Sequence, residues 1–339
     1  MTTIDFLLIG AQKAGTTSLF EYMRRHPQVY MPPEKEVSFF DRKYDRGPEW
    51  YLTTTLRKAP PDATCGEASV GYMGGAPFGE VPDTECWKKA VSDRYDKPYE
   101  EIIPRRIKQL IPDTKLICVL RDPIERAYSH YLMAVLNNVE SLSFDDATRQ
   151  LIEPRALERS RAVPSETNSY IVYGEYARVL GGFTRVFSDD QFLVVFSSAL
   201  ALQPADTLAS IFRFIGVDDG ITPDNLGVRY RTAAVEQRIK AINLHAWQTS
   251  IARRDIARSA WHKTPESIRG AIDRMYTLAN FRATVWNARR GTASKDMSMS
   301  TRKLLMDHYQ QETRTLREIV KRDVPWLESW NHATNGNRT

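Results

Sequence analysis

The segment "IDFLLIGAQKAGTTSLF" at residues 4–20 constrains the fold more than any other stretch. An apolar run ends in Gly10, a short loop leads to a second glycine at Gly15, and a helix then reads from Thr16 to about Arg25. Leu19, Phe20 and Met23 share one face of that helix. A Gly-rich turn between a strand and a helix aims backbone N–H groups and the helix dipole at a phosphate or sulfate. The separation of Gly10 and Gly15 is that of the triphosphate pattern G-x-x-x-x-G-K-[ST], in which Lys follows the second glycine. Here Thr16 and Thr17 follow it, and the lysine, Lys13, stands inside the loop.

The rest of the chain repeats the strand–helix rhythm. "PDTKLICVL" at 112–120 reads as a buried strand and leads into "RDPIERAYSHYLMAVL", where Pro123 fits the first turn of a helix. "QFLVVF" at 191–196 is a further strand, and "PADTLASIFRFIGV" after it is a helix closed by Gly216. "TCGEASV" at 64–70 supplies another strand end. Strands alternating with helices predict an α/β fold, a P-loop-type parallel sheet flanked by helices on both faces. We read residues 1–339 as a single domain. Two stretches break the rhythm: "GYMGGAPFGEVPDT" at 71–84, read as a loop within an insertion spanning 71–99, and a helical insertion at 231–290. Within the latter, residues 238–290 carry eleven Lys/Arg against three Asp/Glu, whereas the whole chain has a net charge of +5.

That modest excess suits anionic ligands and falls short of a nucleic-acid-binding signature. Cys65, Cys86 and Cys118 show no metal-ligand spacing, and Cys118 in "KLICVL" reads as a small buried hydrophobe. No apolar run approaches the ~18 residues of a membrane span, and the first strand begins too early for a signal peptide. The expectation is a cytoplasmic protein. The basic stretch reads as a solvated helical face, an acceptor lid or, least favoured, a membrane-surface helix.

Gln12, Lys13, Ala14, Gly15, Thr16, Thr17 and Ser18 place one cation and three hydroxyls around a small cavity. A triphosphate generally needs a divalent metal to neutralise its shared charge. A sulfuryl group bears one negative charge and needs none, so Lys13 alone can stabilise a departing phosphate. Arg121 stands at a strand's C-terminal end, where open α/β sheets bind ligands, and with Ser129 it can hold one more phosphate. Read alone, "RDPIERAYSHY" is a capped helix start with an Asp122–Arg126 pair rather than a phosphate site.

Together "QKAGTTSL" and "RDPIERAYSHY" resemble the 5′-phosphosulfate loop and the 3′-phosphate segment of the sulfotransferases that use 3′-phosphoadenosine-5′-phosphosulfate (PAPS). The resemblance is strongest to the heparan-sulfate-sulfotransferase-like branch and its bacterial relatives. It extends through "PPEKEVSFFD", "GEASVGY" and "GEYARVLGGFTRVFSDDQFLVV" to "STRKLLMDHYQQETRTLREIV". It implies PAPS as donor, the desulfated nucleotide PAP as product, no metal, and transfer to a hydroxyl or, less favoured, an amine. It implies Glu67 as general base, although the branch often follows that Glu with Lys and Ala68 follows here. His130 is the alternative base. Lys35 and Glu36 border the acceptor site, joined by Phe40, Tyr72 and Phe78. Tyr173 and Tyr176 are adenine-contact candidates, and Arg289, Arg290 and Gly291 in "NARRGTAS" are candidates for a second 3′-phosphate clamp. The acceptor class (glycan, lipid, carrier-bound acyl chain or natural product) stays open. A small-molecule kinase keeps the fold but lacks the Lys-[ST] pair after Gly15.

Overall fold

A computed structural model describes residues 3–74, 99–137, 139–226 and 297–335. Five parallel strands form its sheet: β1 (Phe6–Gly10), β2 (Val29–Tyr30), β3 (Thr64–Ala68), β4 (Lys115–Leu120) and β5 (Phe192–Phe196). Their order across the sheet is β2-β3-β1-β4-β5. Central parallel strands are covered on both faces and so are apolar throughout rather than alternating. All five residues of β1 are buried, as are the last five of β4. Leu7 lies opposite Glu67 on one side of β1 and opposite Leu116 on the other. Cys118, in β4, is fully buried, as the apolar run predicts. β2 is only two residues long and carried no readable pattern.

The strand order determines where a ligand can sit. From β1 the chain builds outward to β2 and β3 on one flank, then crosses to β4 and β5 on the other. The connections therefore diverge between β1 and β4, and their C-terminal ends open a crevice. The loop after β1 is tethered there by the N–H of Ala11, which donates to the carbonyl of Val119 over 2.8 Å.

The helices close both faces. Pro204–Ile215 buries Leu208, Ile211, Phe212 and Ile215 and ends at Gly216, whose φ of 86° satisfies the left-handed C-terminal position the sequence marked. The 22-residue helix Met299–Val320 buries Thr301, Leu305, Tyr309, Thr313 and Leu316, one residue per turn. Its Tyr309 hydroxyl donates to the carbonyl of Ile171 over 2.7 Å. No described helix is long and apolar enough to cross a membrane.

Two expectations change. The stretch read as a loop from residue 71 begins as a buried 3-10 turn, Val70–Gly74, because Tyr72 and Met73 pack into the core. The Asp122–Arg126 ion pair does not form: Arg126 is fully buried and its guanidinium turns to His130 and the carbonyl of Tyr170. Residues 75–98 and 227–296 lie outside the described residues, and with them most of the expected insertion at 71–99, all of that at 231–290, and Phe78, Arg289, Arg290 and Gly291.

Candidate active site

A cavity of about 1170 Å³ occupies the crevice. Its floor is the loop after β1, and Gln12, Lys13, Ala14, Gly15, Thr16, Thr17 and Ser18 all line it. Glycine is required at both ends of the loop. A Cβ on Gly10 would stand 2.7 Å from the Cβ of Met73, and Gly15 has φ 102°. Lys13 also adopts a left-handed backbone, with φ 69°. Gly15 carries no side-chain cap, so the first N–H groups of the helix Thr16–Met23 have no capping side chain and remain available as donors.

Arg121 and Ser129 line the same cavity, so the structure brings the two sequence motifs together. They are also bonded directly, for Arg121 Nη1 donates to the carbonyl of Lys13 over 3.3 Å. The turn carrying Arg121 is fixed from three sides. Asp122 Oδ1 caps the helix Pro123–Leu136 by accepting from the N–H groups of Ile124 and Glu125. Asp122 Oδ2 accepts from the indole of Trp330 over 3.0 Å. The hydroxyl of Tyr176 donates to the carbonyl of Arg121 over 2.9 Å. Tyr176 is thereby corrected: it is buried and supports Arg121 from behind without reaching the cavity, whereas Tyr173 does line it.

The wall leading away from Lys13 comes from residues 35–43 and 70–71. Lys35 and Glu36 line it and form an ion pair, and Glu36 Oε2 accepts from the N–H of Val70 over 2.9 Å. Glu36 and Ser38 have φ values of 66° and 56°, an unusual pair for residues with side chains. Cross-links to the segment after β3 hold them there: Ser38 N–H donates to Ser69 Oγ and Phe39 N–H to the Tyr72 hydroxyl, both over 2.9 Å.

Glu67 is the hub behind those cross-links. Its Oε2 accepts from Ser69 Oγ over 2.8 Å, and its Oε1 accepts from the hydroxyls of Tyr72 over 2.5 Å and Tyr51 over 3.4 Å. The carboxyl is fully buried and does not line the cavity. Burial pushes its pKa up to about 7, against the lowering effect of the Tyr72 and Ser69 hydrogen bonds. Glu67 thus stands one layer behind the position expected of a base. Phe40 and Tyr72 are corrected with it. Both are fully buried, packed edge to face at 5.3 Å, and neither touches the cavity.

Among the described residues, four cavity-lining side chains hold buried atoms without a hydrogen-bond partner: Gln12 Oε1, both oxygens of Asp41, His130 Nε2 and Asn137 Oδ1. Buried polar atoms are rarely left unpaired, so their concentration here marks a surface shaped for a polar ligand. Burial raises the Asp41 pKa to about 6, with Arg42 opposing it. His130 lies well below the usual imidazole range through burial and through the charges of Arg126 and Lys13. Sequence reasoning missed Asp41, which follows the quoted "FF", and Trp326 and Ser329 on the C-terminal helix Pro325–Asn335. It also missed Ser197 and Ser198, although a strand's C-terminal end followed by hydroxyls is a readable signal in a parallel sheet.

The family model described as "Sulfotransferase domain" matches residues 3–234. Heparan sulfate glucosamine 3-O-sulfotransferase 3B1 of Homo sapiens is 31% identical over 221 residues, covering 64% of this chain and 47% of that protein. Heparan sulfate glucosamine 3-O-sulfotransferase 6 of Mus musculus is 31% identical over 218 residues, covering 64% and 53%. Bifunctional heparan sulfate N-deacetylase/N-sulfotransferase 3 of Homo sapiens is 29% identical over 222 residues, covering 62% and 22%. The chain thus spans about half the length, or less, of these relatives. A crystal structure of a sulfotransferase from Alicyclobacillus acidocaldarius superposes with a TM-score of 0.61 at 20% identity, covering 96% of this chain and 98% of that one. That likeness concerns the fold.

Proposed function

The chain belongs to the sulfotransferase domain family, and from that premise we propose that it transfers a sulfuryl group from PAPS to a hydroxyl of an acceptor. One observation carries the reading: the loop with Lys13 and the Arg121–Ser129 pair face a single cavity and are joined by the Arg121–Lys13 hydrogen bond. The uncapped helix start and the cations Lys13 and Arg121 on the cavity wall fit an anionic nucleotide. Gln12 through Ser18 would hold the 5′ end of the donor, and Arg121 and Ser129 its 3′-phosphate. When bound, PAPS supplies a sulfuryl group whose bond to the phosphate breaks as the acceptor oxygen bonds to sulfur. Lys13 and the loop N–H groups would stabilise the charge that gathers on the departing phosphate.

The proton of the acceptor hydroxyl needs a base within reach, and geometry comes before pKa in choosing it. Glu67 lies behind the wall. Asp41 reaches the cavity with its side chain only 1% exposed. Glu36 is 39% exposed on the cavity side and is oriented by Lys35 and the Val70 N–H. We assign proton removal to Glu36, and to Glu67 the positioning of the segment that carries it. The relatives' names point to heparan sulfate as their acceptor. For this chain a polyhydroxylated glycan is the acceptor class we favour.

Two measurements test the reading. Thermal shift should show stabilisation by PAP that ATP with Mg²⁺ does not match. Labelled sulfate from PAPS should enter a product when the protein is added to an extract of its source cell. Stabilisation by ATP–Mg²⁺ alone would turn the reading to a kinase.

A further inference from the structure

Arg126 is a fully buried cation in the helix Pro123–Leu136, and no carboxylate pairs with it among the described residues. Its Nη2 donates to the carbonyl of Tyr170, and its Nη1 faces His130 Nδ1, one helical turn on, at 3.5 Å. A guanidinium has only donors. Nδ1 of His130 must therefore be the bare, accepting nitrogen, and the ring proton must sit on Nε2. The backbone of Glu166 also favours the ring proton. Nε2 is buried, has no partner at hydrogen-bonding geometry among the described residues, and belongs to a residue lining the cavity.

A base must offer a lone pair. His130 has none to offer, since one ring nitrogen faces Arg126 and the other carries the proton. The imidazole can only donate. Burial with Arg126 and Lys13 nearby also keeps it neutral, so it presents a polarised N–H rather than a charge. Its electrostatic neighbour Lys13 belongs to the loop assigned to the donor's 5′ end. Its ring neighbour Tyr173, 6.1 Å away, lines the cavity as well. The 3′-phosphate already has Arg121 and Ser129.

On the sulfotransferase reading, we propose that His130 donates its Nε2–H to a sulfuryl oxygen of bound PAPS, and that Arg126 fixes the tautomer that makes this contact. Arg126 is then a positioning residue, and the anionic donor is the counter-charge that the fold itself withholds from it.

PAP and PAPS differ by the sulfuryl group alone, so titrating both into the full-length protein isolates the contact without an acceptor. His130→Ala should weaken PAPS binding roughly ten- to hundred-fold, the range for a hydrogen bond to a charged group, and leave PAP binding unchanged. His130→Gln, whose amide N–H extends to about the reach of Nε2, should recover most of the loss. Equal weakening of both ligands would assign His130 to the nucleotide or the fold and overturn the proposal, as would no change for either. Failure of the unaltered protein to bind either ligand would instead remove the PAPS reading itself. Imidazole ¹⁵N spectra, with the His130 signal identified by its loss in His130→Gln, should show a protonated Nε2 and a bare Nδ1 at neutral pH. A proton on Nδ1, or an imidazolium, would refute the tautomer assignment without any ligand.

Discussion

Glu67→Gln separates a buried hub from a base, and its effect on stability can be worked from the site. The ordinary pKa of Glu67 is 4.5, and burial raises it to about 7 in the folded chain. A folded state that holds its proton more tightly than the unfolded one loses stability as pH rises. This contribution is fully present below about 4.5, declines through the interval, and is gone above about 7. The gap corresponds to about 3 kcal/mol. Gln has no proton to lose, so the variant should lack this slope. Asp41, also raised by burial, titrates in both proteins and largely cancels from the difference.

The measurement is urea unfolding of both proteins from pH 4.5 to 8. At the acid end the two should be close, apart from roughly 1 kcal/mol for rearranged hydrogen bonds with Tyr72 and Ser69. By pH 8 the balance should have moved by about 3 kcal/mol toward the variant. Sulfate transfer at neutral pH should fall less than tenfold, because the amide still accepts from Tyr72 and keeps the wall segment in place. A stability difference that does not vary with pH would refute the claim that burial raises this carboxyl. A loss of transfer beyond a hundredfold with PAP affinity and stability intact would return Glu67 to the role of base.

Glu36→Gln should lower transfer by ~10²–10⁴, the usual cost of removing a general base, with PAP affinity unchanged; transfer near the unaltered rate would move proton removal to Asp41. Lys13→Ala should cut turnover on the order of 10²–10³ while weakening PAP much less, since the charge it meets grows during transfer. Unchanged turnover would rule that role out. Arg121→Ala and Ser129→Ala should each weaken PAP by roughly 1.5–3 kcal/mol yet hardly affect adenosine-5′-phosphosulfate, which lacks the 3′-phosphate. Equal losses for both ligands would assign the pair to the fold.

The sheet was legible because its central strands are covered on both faces. "FLLIG" and "KLICVL" are continuous apolar runs for that reason, the half-buried edge strand "FLVVF" is apolar too, and each is closed by a turn or helix signal. β2 escaped because two residues carry no period. The loop and turn proposed to hold the donor were found in the sequence for a related reason. Its ligand-facing groups are neighbours in sequence, so the loop from Gln12 to Ser18 and the turn at Arg121 could each be read locally. The Arg121–Lys13 hydrogen bond, 108 residues apart, and the support of the Arg121 turn by Trp330 and Tyr176 needed the fold.

The acceptor side is built the other way, from contacts between distant segments. Glu36 owes its orientation to Val70, 34 residues on, and its backbone conformation to Ser69 and Tyr72 holding Ser38 and Phe39. A glutamate at a strand end is a sound candidate for a cavity base, yet the sequence does not say which side chains close over it. Tyr51, Ser69 and Tyr72 take both oxygens of Glu67 and shut it in. Through Ser69 and Tyr72 it is also tied to the wall in front. In the proposed function two carboxylates therefore divide what the sequence assigned to one: Glu67 would set the shape of the segment, and Glu36, on the more exposed side, would meet the acceptor. His130 raises a parallel point. Its place beside Ser129 put it at the cavity, but in the proposed tautomer the direction of its proton depends on Arg126, whose burial and lack of a carboxylate partner among the described residues exist only in the folded chain.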